Sequence, residues 1–301
     1  MISNKIEIPS VTLLDENRPT VEALKQLAQS LGLEFGWHYL LDLTWVIQNL
    51  HESIGSFEAK FILDAGAGTG MMQWFLATQG AEVLSVDRGS RAELPVRFRR
   101  RFNVAGLRQG AEPDLLPASQ LFPNSLANII SQPKLVLRQA NEYMETIGAS
   151  KAPGRILIYN QDLKNLVDVL DNSVDAIVAI SSLEHNPPQD LPAVVTELMR
   201  VLKPGGVLLA TLCAASEQDW YHEPSAGWCY TEGSLCRSFN LPEDTSSNYA
   251  QYDELLVSLR NCAELRDNLA DFYSKSGNNG MPWGKWDPQY QPVGICKIKE
   301  T

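Results

Sequence analysis

From residue 60 onward the sequence predicts an α/β fold with a doubly wound, mostly parallel sheet, and three observations predict it. Short apolar runs alternate with helix-length stretches, the pattern of buried parallel strands joined by right-handed crossovers. The first run, 60–65, passes straight into Gly66-Ala67-Gly68-Thr69-Gly70. The second, 81–86, is followed at once by an acidic residue, Asp87.

The elements follow in order. Residues 1–19 are polar and mixed and read as an irregular lead-in. Val21, Leu24, Leu27, Ala28 and Leu31 recur at helical steps from Thr20 and predict a helix ending near Gly32. A second helix is expected over 39–50, with Leu40, Leu43, Ile47 and Leu50 inward. Strands are expected at 60–65, 81–86, 155–160, 174–180 and 206–213, with a helix from Met71 after the glycine turn. Pro187 and Pro188 interrupt the chain after the fourth strand. Asp190 is placed to cap a helix whose buried stripe is Leu191, Val194, Val195, Leu198, Val201 and Leu202, and Pro204-Gly205-Gly206 turns it into the fifth strand. A further helix is expected over 253–269, and 292–298 reads as a closing edge strand. Residues 88–154 form an insertion or lid, because structureless loops of that length are uncommon. Residues 214–289 form an aromatic-rich elaboration. The organisation expected is a helical cover over 1–57 and one domain over 58–301.

Composition excludes several classes. Against 25 Lys and Arg stand 36 Asp and Glu, a net charge of −11 in 301 residues, which disfavours general attraction to nucleic acid or an anionic membrane. No apolar run approaches the ~18 residues of a bilayer span. Glu7, Asp15 and Glu16 near the amino terminus argue against a secretory leader, so a cytoplasmic location is expected. The five cysteines and four histidines show no metal-ligand spacing, and the cysteines are expected reduced and mostly structural.

The glycine turn is the most informative segment. It sits at the carboxyl end of the first strand, where open α/β sheets bind cofactors, and an acidic residue ending the second strand can accept both hydroxyls of a ribose. Dinucleotide loops use G-x-G-x-x-G; here the spacing is G-x-G-x-G. Asp64, two positions before the first glycine, would repel a pyrophosphate and suit an ammonium group. A P-loop needs Lys and Ser or Thr after its last glycine, and here Met71 and Met72 follow.

These residues resemble the class I S-adenosylmethionine-dependent methyltransferases, in particular the type 11 small-molecule group. Four stretches carry the resemblance over roughly 58–213: Leu63 to Gly70; Val83 to Asp87; Asn160-Gln161-Asp162-Leu163; and Ser181-Ser182-Leu183-Glu184-His185 followed by Glu197 to Gly206. It implies a Rossmann-like, seven-stranded sheet with S-adenosylmethionine as cofactor and S-adenosylhomocysteine as product. It also implies that Asp64 and Gly66 meet the methionine end, that Ala67, Gly68 and Gly70 form the cofactor loop, that Asp87 with neighbouring Arg88 lies at the ribose, and that Asp162 and Leu163 meet the adenine. Ser181 and its neighbours would pass near the sulfonium and the acceptor.

Methyl transfer from a sulfonium is an in-line displacement, so alignment and exclusion of water dominate. For a hydroxyl acceptor a neutral histidine would help, and His185, with Glu184 second, is the expected base; an equally open role for the pair is loop ordering. Asn186-Pro187-Pro188-Gln189 departs from the nucleobase-methylating motif, which needs an aromatic residue where Gln189 stands, so no nucleic acid is expected. Seven arginines, Arg88, Arg91, Arg97, Arg99, Arg100, Arg101 and Arg108, face one glutamate, Glu93, over 88–110. They suit a phosphorylated, nucleotide- or lipid-linked acceptor, with Arg99 as the expected contact. Pairing with the acidic body and peripheral membrane contact through 91–108 stay open. Trp220 and His222, with Trp228, Trp283, Trp286, Asn278 and Asn279, suit a polyhydroxylated, glycan-type acceptor, and Trp37, His38 and Tyr39 resemble a cover closing its site. The expected function is O-methylation of a small polar acceptor; the alternatives are an inactive cofactor- or partner-binding module of the same fold, and a nicotinamide-dependent oxidoreductase.

Overall fold

The computed structural model describes residues 3–34, 36–121, 137, 150–267 and 286–301. It divides into two compact units, one formed by Met1–Ser56 with Leu163–Thr301 and one by Phe57–Asp162. The amino-terminal part opens with a strand, β1 (Lys5–Glu7), and continues through α1 (Leu13–Glu16), α2 (Arg18–Leu31) and α3 (Tyr39–Ile54). Helix α2 buries Val21, Leu24, Ala28 and Leu31, the stripe that its sequence predicts, and ends at Gly32 in the left-handed region at φ 58. Helix α3 is apolar nearly all round and buries ten of its residues, including Asp42, Thr44 and Asn49.

The Phe57–Asp162 unit follows. Strands β2 (Phe61–Ala65), β3 (Glu82–Asp87), β4 (Asn103–Gly106) and β5 (Arg155–Asn160) are all parallel, with β3 between β2 and β5, and β4 on the far side of β5. Helix α4 (Met71–Thr78) joins β2 to β3, and the arginine-rich segment forms α5 (Val96–Arg101). The insertion therefore contains a strand, β4, that the sequence reading did not contain. Residues 122–136 and 138–149, the rest of the expected lid, lie outside the described residues.

The chain then returns to the first unit with β6 (Val174–Ile180), α6 (Leu191–Val201), β7 (Leu202–Ala214), the hairpin β8 (Trp220–His222) and β9 (Gly227–Tyr230), α7 (Glu232–Ser238), β10 (Ser246–Ser247), α8 (Tyr252–Arg260) and β11 (Gln291–Ile298). Strands β6 and β7 run parallel, β11 is antiparallel to β7, and β1 pairs with both β11 and β10. Eleven strands thus form among the described residues, against seven expected. The additions are short and are recruited by long-range partners. Strand β11, expected at an edge, is covered by β1 because Lys5–Glu7 bonds to it across most of the chain length. The same pairing, with α3 packed on β6, β7 and β11, groups Met1–Ser56 with the carboxyl-terminal half instead of leaving it a separate cover. The helix expected over 253–269 is interrupted at Asn261 and Cys262 and resumes over 263–267, and positions 268 and 269 lie outside the described residues.

Gly294 in β11 shows how closely α3 lies on this sheet: a Cβ there would stand 2.5 Å from the Trp45 ring. Overpacking of that kind costs roughly 1–3 kcal/mol. Gly294→Ala is therefore expected to lower the melting temperature in a thermal denaturation; an unchanged melt would contradict the packing described.

Candidate active site

In the Phe57–Asp162 unit the glycine turn follows β2 directly. Gly66 and Gly68 take positive φ, 71 and 47, conformations that side-chain-bearing residues rarely adopt. The amides of Gly66 and Ala67 both donate to the Val86 carbonyl at 2.9 Å, and Gly70 donates to Ala67 at 2.8 Å. At Gly70 a Cβ would meet the Ala67 carbonyl oxygen at 3.0 Å. Asp87, at the end of β3, accepts from the Gly68 amide at 2.9 Å and from the Gly89 amide at 2.6 Å. Asp64, at the end of β2, is buried, and burial pushes its carboxyl up to about 7 although the Arg91 guanidinium and a Gln73 backbone hydrogen bond pull the other way. Two carboxylates thus flank one turn, one buried and one half-buried. Arg88 and Asp162 are exposed.

A buried brace that the sequence reading missed holds this turn from behind. The Gln73 side-chain amide donates to the carbonyls of Gly68 at 3.2 Å and Gly70 at 3.1 Å, while its oxygen accepts from the Ser85 hydroxyl at 2.7 Å. Arg91 donates to that hydroxyl, to the Ser85 carbonyl at 2.8 Å and to the Tyr159 carbonyl at 3.0 Å. A polar Gln73 inside an apolar helix was the available signal.

Arg99 and Arg108 are likewise committed to the fold. Arg99, expected at an acceptor, donates to the carbonyls of Leu94 at 2.7 Å, Ala92 at 2.9 Å and Leu116. Arg108 pairs with buried Asp114, which also accepts from the Asn160 amide at 2.8 Å. Burial favours the neutral Asp114 carboxyl, but these donors outweigh it and hold the group below its ordinary value. Phe98 stacks on Trp74 at 4.5 Å, and Phe102 lies 4.8 Å from the same ring. Arg91 and Arg99 thus tie to backbone carbonyls, and Arg108 pairs with one acid, Asp114.

Leu163, Ser181, Glu184, His185, Trp37, His38, Tyr39, Trp220 and His222 all belong to the first unit. His185 is exposed, with Nδ1 3.0 Å from the Ala226 carbonyl. Its neighbour Glu184 is buried, and burial, against the pull of His185, raises its carboxyl above the ordinary range. The better-organised histidine is His38, buried at the start of α3. Its Nδ1 lies 2.7 Å from Asp42 Oδ2, which also accepts from the Ser181 hydroxyl at 3.1 Å, and its Nε2 lies 3.4 Å from the Tyr290 hydroxyl. Ser181 stands at φ 42, strained for a serine, at the end of β6. Trp37, His38, Tyr290 and His222 form a chain of edge-on ring contacts at 4.6 to 5.6 Å, and Trp220 joins it through His222 at 5.5 Å. His222 bonds through Nδ1 to Ser225 at 2.7 Å, and burial lowers its pKa. Trp283, Asn278 and Asn279 lie outside the described residues. Among the described residues no group of His, Cys, Asp and Glu could hold a metal ion, and no helix is long and apolar enough to cross a membrane.

The Asp64 shift has a consequence for stability. An unfolded aspartate titrates near ~3.9, so ionising Asp64 in the folded state, where it titrates at about 7, lowers stability progressively between those values and leaves it low above them. Asp64→Asn is expected to melt several degrees above the wild type at pH 8 and close to it near pH 4. A variant less stable than wild type at pH 8 would contradict the burial of an unpaired carboxylate.

Residues 131–210 match a family described as a methyltransferase domain. No curated protein matches the chain. Solved structures with some likeness include a Pyrococcus horikoshii OT3 protein, 20% identical over 57% of this chain and 53% of its own, with a TM-score of 0.32. Haemonchus contortus phosphoethanolamine N-methyltransferase 2 is 14% identical over 96% of this chain and 60% of its own, at 0.44. An S-adenosylmethionine-dependent methyltransferase from Mesorhizobium loti is 12% identical over 84% and 97%, at 0.41. The chain thus spans 53% and 60% of the first two. The part of the chain over 131–210 is thus similar to a methyltransferase domain, and the glycine turn and strand-end carboxylates described above lie outside the matched residues.

Proposed function

We propose that the chain transfers the methyl group of S-adenosylmethionine to a hydroxyl of a small polar or glycan-type acceptor. The observation that supports this reading best is the turn with a carboxylate at each end. Asp64 is buried, forms no ion pair among the described residues and suits an ammonium group; Asp87 suits a ribose diol. The residues present fit the cofactor: Gly66 and Gly68 let backbone approach it, Asp64 takes its amino group, Asp87 its ribose hydroxyls and Asp162 its adenine amine. No lysine stands in the turn to hold a phosphate. When bound, the cofactor supplies an electrophilic methyl group on a sulfonium. The chain's own part is to bind, orient and exclude water.

A hydroxyl acceptor must also lose its proton. His38 is better arranged for this than His185, because Asp42 fixes the Nδ1-protonated tautomer and leaves Nε2 as an acceptor, whereas His185 is exposed and turned to a backbone carbonyl. In this reading His38 takes the proton and Asp42 orients it.

A calorimetric titration with S-adenosylmethionine, S-adenosylhomocysteine and NADH tests the cofactor. Saturable binding of the first two near micromolar, about −8 kcal/mol, is expected, with no binding of NADH. Asp64→Ala and Asp87→Ala are each expected to weaken binding at least about tenfold, roughly 1.4 kcal/mol. Wild-type affinity in both variants would overturn the site. With a hydroxyl acceptor found by screening, His38→Gln is expected to lower kcat by about 100-fold with cofactor affinity unchanged, while His185→Gln stays within a few-fold. The reverse order would restore His185 as the base.

A further inference from the structure

The His38–Asp42 pair does not account for all the buried charge around it. Asp42 Oδ1 and Glu184 Oε2 are both buried and have no hydrogen-bond partner. Asp42 is 0% and Glu184 3% exposed. Their other oxygens are satisfied to different degrees. Asp42 Oδ2 takes two donors, whereas Glu184 Oε1 has only the Cys213 thiol at 3.9 Å. The two carboxyl groups are close enough for Asp42 to oppose ionisation of Glu184, and the charge of Glu184 reaches Tyr39 and Tyr290, whose phenols burial and these acids hold neutral. Among the described residues neither carboxylate pairs with a lysine or arginine; the basic side chains that act on Glu184 are the imidazoles of His185 and His38.

Buried carboxylates are rare unless paired, and a buried acceptor with no donor costs free energy comparable with a lost hydrogen bond. Two such oxygens in one cluster, beside aromatic rings, make an environment that is completed by a cation. Trp37 is the centre of the ring set, with Tyr290 at 5.2 Å, Trp286 at 5.9 Å and His38 at 4.6 Å, and Tyr39 lies 5.3 Å from His38. Aromatic faces attract ammonium groups through their quadrupoles, most strongly where water is excluded. A neutral sugar would satisfy the rings but would leave both acids without a cation.

We infer that Asp42 and Glu184, with the rings of Trp37, Tyr39 and Tyr290, form a subsite for a positively charged nitrogen carried by the acceptor. The inference rests on the methyltransferase reading for calling the ligand an acceptor, and it narrows that reading to hydroxyl compounds that also bear an ammonium group. Glu184 is then a binding residue rather than a base, and its raised carboxyl returns to the ionised form as the cation arrives.

The test compares choline with 3,3-dimethylbutan-1-ol, which has the same shape and hydroxyl but carbon in place of nitrogen, by calorimetric titration of the wild-type chain without cofactor. Choline is expected to bind at least about tenfold tighter, the ratio that about 1.4 kcal/mol gives. Equal affinities, or no heat from either up to the order of 50 mM, would overturn the inference. Glu184→Gln and Asp42→Asn are expected to remove the preference for choline and keep the weaker binding of the neutral analogue. A variant that loses both ligands has lost its fold, and the wild-type comparison then decides alone. If choline is preferred while S-adenosylmethionine does not bind, the cation subsite stands and the methyltransferase reading falls. If S-adenosylmethionine binds and choline is not preferred, only the subsite falls.

Discussion

Gly66 and Ala67 both turn their amides onto the carbonyl of Val86, and this pair of hydrogen bonds between the end of β2 and the end of β3 is the constraint on which the Phe57–Asp162 unit depends. It forces the chain to reverse within five residues, which only backbone free of side-chain clashes can do, so Gly66 and Gly68 occupy the left-handed region. The reversal sets Asp64 and Asp87 on either side of one short turn. The carbonyls that it leaves behind would be unsatisfied in an apolar interior, and Gln73, Ser85 and Arg91 answer them in a single buried network. A half-satisfied network of this kind would cost more than an apolar one. The presence of three polar side chains in an otherwise apolar layer is therefore explained by the shape of the turn.

The same logic separates the arginines from the acids. Arg91, Arg99 and Arg108 sit in a segment rich enough in positive charge to suggest anion recognition, yet Arg91 donates to Ser85 and the Tyr159 carbonyl, Arg99 to the Ala92 and Leu94 carbonyls, and Arg108 to Asp114. Guanidinium groups used in this way are fasteners: Arg91 and Arg108 reach the carbonyls of Tyr159 and Asn160 in β5, and Arg99 ties the insertion to itself. The acids of the first unit show the opposite condition. Asp42 and Glu184 are buried with an oxygen each unanswered, so the fold has taken on a desolvation cost without recovering it internally.

Much of this was legible in advance. The strands at 155–160 and 174–180 have the boundaries that their apolar runs predict, since a run buried on both faces announces itself without knowledge of its partners. Asp64, Asp87 and the glycine spacing were legible for the same reason, because turn chemistry is local. What was missed is non-local. Lys5–Glu7 and Ser246–Ser247 carry no strand signal of their own and become strands only through β11 and each other. Trp45 and Gly294 declare their closeness only once α3 lies on β11. His38 and Asp42 are a middle case: a spacing of four at a helix start places them on one face, a signal that was available and was outweighed by the position of His185 after the fourth strand.

The central claim is that the turn at Gly66–Gly70, anchored by Asp87, receives S-adenosylmethionine. Amide hydrogen exchange read by mass spectrometry with and without saturating S-adenosylmethionine tests it most directly, because it reports where the ligand sits as well as that it binds. The account predicts slowed exchange confined mainly to peptides spanning 64–72 and 86–90, and none on adding NADH. Protection that leaves those peptides unchanged, or the same protection with NADH, would contradict it.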